Sequence, residues 1–192
     1  ILFARWMGSF EFGIYVYVWT WVLLIGDLAD LGLASAAQRF IPEYTSRKAF
    51  DLLRGFLNRS RWIAIASAAF IALLGVGTVK LLEPRLSDYV VLPLMTACAT
   101  LPFYALMQIQ DGIARSPDGM RLGLVPQFIA RQALIVGITA GLFVLGFDLG
   151  ASAAMVASAS AVWLAMIGQM LLLNRRLGSH VEPGPKAYDL HG

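Results

Sequence analysis

Cysteine, histidine and charge are all scarce in this chain of 192 residues, and each shortage removes a class of function. Cys98 is the only cysteine and lies in an apolar run, so no disulfide framework or multi-cysteine metal site is available. The two histidines, His180 and His191, both fall in the polar tail, without the spacing that zinc ligands need. Neither common glycine loop for cradling phosphates is present. The sequence therefore reads as a non-enzyme, with no cofactor expected. Charged residues make up 14% of the chain, 15 Lys and Arg against 12 Asp and Glu, for a net charge of +3. That excess is too small and too scattered to point to nucleic acid.

Apolar residues are plentiful. The chain is 58% hydrophobic, with a mean hydropathy of +0.69, which is the profile of a membrane protein. A helix needs about 20 apolar residues to cross a bilayer. Five long spans of this kind occur at 12–38, 62–79, 89–110, 122–147 and 149–174. They follow a short piece at 1–7 that reads as the last turns of a helix whose beginning is missing. The runs lack the apolar–polar alternation of barrel strands. The expectation is one all-α, polytopic membrane lobe of six helices, the first truncated, with a tail at 175–192. The chain opens on Ile1 without a basic leader or a small-residue cleavage site, so it reads as a fragment rather than a signal-bearing precursor.

Basic residues set the expected orientation, because they concentrate in cytoplasmic loops. The segment 38–61 holds Arg39, Arg47, Lys48, Arg54, Arg59 and Arg61. In 80–88, Lys80 and Arg85 are offset by Glu83 and Asp88. Arg115 and Arg121 follow in the next loop, with Arg131 close behind; the turn at 147–150 has no base, and the tail carries Arg175, Arg176 and Lys186. Heavy and light loops alternate, which places 38–61 and the N-terminus in the cytoplasm. Within the loop 39–61, Ala49, Phe50, Leu52, Leu53, Phe56 and Leu57 recur at helical spacing. This predicts a short amphipathic helix on the inner leaflet, the alternative being a solvated linker.

Small residues crowd the spans, at Gly75 and Gly77, at Gly137 and Gly141, and through 150–160. They favour close helix packing where no hydrophobic effect drives association, though they would also suit a pore lining. Pro93 and Pro102 should bend their span. Tyr15, Tyr17, Trp19, Trp21 and Trp163 read as belt or packing residues rather than a sugar platform.

Four charged residues stand out as candidate substrate-binding or gating groups. Asp27 and Asp30 lie inside the first long span, three apart, on a helical stripe with Ala34 and Gln38. Carboxylates at that depth are costly, so they face a cation, a proton path or a central cavity, or else they pair with a base or cap a helix. Arg131 sits about 13 Å into its helix if that helix starts near Leu122, at 1.5 Å per residue, with Gln127 one turn back. It then needs a partner or an anionic ligand; if the helix starts later, it snorkels to the inner surface. The Asp-x-x-Asp spacing of Asp27 and Asp30 would also suit a metal-holding membrane phosphotransferase, but the following spans offer no second acidic pair.

Three stretches carry a family resemblance. They are Glu11-Phe-Gly-Ile-Tyr15, the run 23–36 containing Asp30-Leu-Gly-Leu33, and Arg39-Phe-Ile-Pro-Glu-Tyr44. Together with Gly123-Leu-Val-Pro-Gln127 and the tail 188–192, they resemble the first half of polysaccharide flippases. These belong with lipid II flippases and multidrug exporters of the MATE type. The resemblance implies an N-terminal six-helix lobe that pairs with a missing C-terminal lobe of the same protein around a central cavity. Alternate opening of that cavity would carry a polyprenyl-diphosphate-linked oligosaccharide across the bacterial inner membrane, with membrane lipids as the other partner. It also implies that Asp30 holds the place of an acidic residue at the inner gate. Arg39 and Arg131 are assigned to the diphosphate by their charge. A cation-coupled multidrug or lipid II transporter of the same fold is the alternative, and a membrane phosphotransferase or a non-transporting scaffold a distant one.

Overall fold

A computed structural model describes residues 2–115, 124–147 and 149–180. Arg121, Gly123 and the tail motif at 188–192 lie outside the described residues, as do the side chains of 124–130, Gln127 among them. The described chain is an all-α bundle without strands. Its helices are α1 (Leu2–Met7), α2 (Ser9–Ala29), α3 (Leu33–Ser46), α4 (Phe50–Leu82), α5 (Asp88–Ala114), α6 (Leu124–Val144) and α7 (Ala151–His180). A 3₁₀ turn, Glu83–Arg85, leads from α4 towards α5. Four of the helical segments, those running 9–29, 50–85, 88–114 and 151–175, are long and apolar enough to cross a membrane. In α6 the described apolar part, Arg131–Val144, is shorter than a crossing.

The central element is α5, which packs against α7, α4, α2 and α3. Small side chains make this closeness possible. Ala64, Ala68 and Ala72 repeat every fourth residue on α4, and all three are buried. Ala68 meets Ala29 of α2 and Ala105 of α5. On α7, Ala151, Ala154, Met155, Ala157, Ala161 and Val162 form the buried stripe. With no hydrophobic drive between helices in lipid, such surfaces associate through van der Waals contact and backbone proximity. At Gly112, a Cβ would run into the backbone of Ala34 on α3, so only glycine permits that crossing. Gly77, Gly137 and Gly141, in contrast, face open space among the described residues. The other sides of α4 and α7 expose Phe70, Leu73, Leu74, Leu164, Leu171 and Leu172, as lipid-facing surfaces do.

The span expected at 12–38 is two helices. Leu31 and Gly32 both take positive φ, 53° and 75°, and the chain turns there before α3 begins. Left-handed backbone ends a helix, and glycine adopts it at little cost. Hydropathy cannot register this break, because the residues on both sides remain apolar.

The expected amphipathic loop at 39–61 also differs. It comprises the end of α3, a turn at 47–49 and the first three turns of α4, which then continues into the crossing without interruption. Leu53 and Leu57 do not rest on the leaflet: they are buried in one cluster with Ala37 and Ile41 of α3, Ile109 and Ile113 of α5 and Leu173 of α7. Their apolar periodicity faces the bundle.

Candidate functional site

The site is assembled from polar side chains that the apolar helices bring together. At one end of the bundle, α2 is fastened to α7 by two residues one turn apart. Glu11 Oε2 accepts the backbone N–H of Ala151 at 2.6 Å, supplying an acceptor to an otherwise unpaired N–H at the start of α7. The Tyr15 and Ser158 hydroxyls meet at 2.9 Å, buried between the same helices. These contacts give the Glu11-Phe-Gly-Ile-Tyr15 stretch a mechanical role.

Further along α2, Gly26 lies against the ring of Tyr104, and a side chain at position 26 would collide with it. Tyr104 of α5 is buried, and Arg131 of α6 acts electrostatically on its hydroxyl. Asp27 of α2 and Asp111 of α5 also act electrostatically on Tyr104, while Arg131 acts on Tyr15 and Asp111. A mixed-charge seam therefore runs between α2, α5, α6 and α7. At its open side, the exposed Asp27 accepts a hydrogen bond of 2.6 Å from Gln108 Nε2. At its closed side, the buried Asp111 accepts one of 2.9 Å from Gln169 Nε2 across the α5–α7 interface.

The four sequence candidates do not converge. Asp27 and Arg131 both act electrostatically on Tyr104. Asp30 is 7% exposed, and its two carboxylate oxygens lie 3.1 and 3.2 Å from the backbone N–H of Ala34. It still interacts electrostatically with Asp27, but the shared stripe with Ala34 and Gln38 is interrupted by the break between α2 and α3. Asp30 thus holds a corner between two helices. Arg39 is exposed on α3, with its guanidinium carbon 5.7 Å from the ring centre of its neighbour Phe40. It stands apart from the seam. Arg131 is partly buried, and it acts electrostatically on Tyr104.

Tyr104, Gln108, Asp111 and Gln169 were not singled out from the sequence. The first three recur at i, i+4 and i+7 in an apolar stretch, which places them on one face of α5. Among the described residues, no group of His, Cys, Asp and Glu is arranged to hold a metal ion. What the arrangement offers is an arginine and amide and carboxylate groups beside a tyrosine.

A family model described as polysaccharide biosynthesis protein matches residues 1–183. No curated protein and no solved structure matches the chain.

Proposed function

We propose, since the chain belongs to the polysaccharide biosynthesis protein family, that it forms the N-terminal lobe of a flippase for lipid-linked oligosaccharide. The family is one of flippase-type membrane proteins, and the four crossing-length helices agree with that class. Beyond the family, the reading rests on one observation: Arg131 stands beside Tyr104 in a seam whose open edge is the Asp27–Gln108 pair.

A polyprenyl-diphosphate carrier brings a cluster of anionic oxygens, and a guanidinium can hold two of them through parallel hydrogen bonds. In a water-poor cavity such a contact is less screened than at a surface. In this reading Arg131 binds the diphosphate, Asp27 and Gln108 line the sugar side, and Arg39 attracts the headgroup at the cytoplasmic mouth. Asp30 sets the angle between α2 and α3 at the inner gate. A second lobe faces the seam, and alternate opening of the space between the lobes moves the substrate outward. The setting is a bacterial inner membrane, with the N-terminus and the segment 38–61 in the cytoplasm. The test is gene deletion: the lipid-linked oligosaccharide should be made and remain on the inner leaflet.

A further inference from the structure

Arg61 presents an unresolved charge. It sits in α4, where its Nη1 donates to Asn174 Oδ1 of α7 at 3.2 Å. Its Nε and Nη2 are buried and have no hydrogen-bond partner. Among the described residues, no carboxylate lies within ion-pair distance of it. A desolvated guanidinium with one neutral acceptor is costly, and a cation so placed calls for an anion.

The level of Arg61 in the membrane identifies that anion. The stretch 62–79 carries no charge, and Arg61 and Lys80 bracket it. Their separation along the helix is about 29 Å at 1.5 Å per residue, close to the thickness of the hydrocarbon core. On α7, the stretch 151–174 is likewise uncharged, and Arg175 is the first charge beyond it. Arg61 and Arg175 therefore mark one boundary on neighbouring helices, joined through Asn174. The surroundings face lipid: Trp62 is 65% exposed beside Arg61, and Leu171 and Leu172 are exposed one turn before Arg175. Basic pockets between transmembrane helices at this height hold lipid headgroups.

We propose that the side chains of Arg61, Asn174 and Arg175, brought together where α4 meets α7, bind the phosphodiester of an anionic phospholipid. The guanidinium turns its unpartnered N–H groups to the phosphate oxygens, Trp62 lies in the interfacial layer, and the acyl chains follow Leu171 and Leu172. This site shares none of its residues with the Arg131 seam and does not depend on what that seam transports.

The experiment uses the purified full-length protein in zwitterionic nanodiscs, with phosphatidylglycerol titrated in and retained lipid counted by native mass spectrometry. Thermal unfolding is followed in parallel. Wild type should retain a phosphatidylglycerol molecule and melt at a higher temperature as it binds. Arg61→Gln should weaken retention about tenfold, the loss of a charge-assisted contact, whereas Arg85→Gln in the opposite loop should not. If Arg61→Gln does not accumulate, Arg61→Lys carries the test: charge without the fork should lower retention severalfold. Retention unchanged in either Arg61 variant would overturn the site. Stabilisation by inorganic phosphate equal to that by phosphatidylglycerol would overturn the lipid as its occupant.

Discussion

The carboxylate of Glu11 on α2 receives the backbone N–H of Ala151, the first residue of α7, at 2.6 Å. One turn further along α2 and two turns further along α7, Tyr15 meets Ser158, so α2 and α7 are pinned together by two separate polar contacts. Removing the first exposes an unpaired helix N-terminus, worth about 1–2 kcal/mol. Glu11→Ala should lower the unfolding temperature of the purified protein, and Tyr15→Phe should lower it less, by about 1 kcal/mol of stability. Thermal unfolding in detergent, followed by circular dichroism, reads both. An unchanged melting curve for Glu11→Ala would show that the contact does not hold the helices.

Asp30 has two separable properties, a capping oxygen and a charge. Asparagine caps nearly as well as aspartate, while alanine does not cap at all. Asp30→Asn should therefore leave membrane abundance near wild type and reduce polysaccharide export, whereas Asp30→Ala should lower both. Abundance by immunoblot and export by complementation are the two readouts. Full export by Asp30→Asn at normal abundance would leave Asp30 with the helix corner alone.

Orientation is tested by chemical labelling. In a Cys98→Ala background, cysteines placed at the exposed Ser46 and Ser87 should differ towards a membrane-impermeant maleimide on intact cells. Ser87→Cys should label from outside and Ser46→Cys only after permeabilisation. The reverse pattern would invert every leaflet assignment made above.

Much of the bundle was legible in hydropathy, because a helix buried in lipid must be apolar along a membrane's thickness. The long apolar runs fall on α2 with the start of α3, and on α4, α5, α6 and α7. The break after Asp30 was written in the sequence as well, in the glycine of Asp30-Leu-Gly-Leu33, but an apolar average passes over a single backbone dihedral. Asp111 went unread for another reason. Taking the first charge after 89–110 as the end of the span put Asp111 in a loop, although it is buried one residue further along the same helix. Its partner, Gln169, is 58 residues away in sequence, and no local pattern announces such a pairing. The same holds for Arg131: its depth could be weighed from spacing, but its electrostatic influence on Tyr104 depends on where α5 and α6 come to lie.

The assigned role of Arg131 distinguishes fork from charge. Arg131→Lys keeps the charge and loses the paired donors; Arg131→Gln loses both. In the intact protein at matched membrane abundance, Arg131→Gln should reduce export at least about tenfold and Arg131→Lys by an intermediate amount. Export by both variants at the wild-type level would make Arg131 an anchor for α6.

The central claim is translocation, and the leaflet on which the lipid-linked oligosaccharide resides tests it most directly. In a strain lacking the gene, the intermediate should be assembled yet stay protected from a membrane-impermeant glycosidase or periodate applied outside the inner membrane of spheroplasts. Expression of the intact gene should make it accessible. An intermediate equally accessible with and without the gene, or one that is not assembled in its absence, would contradict the account.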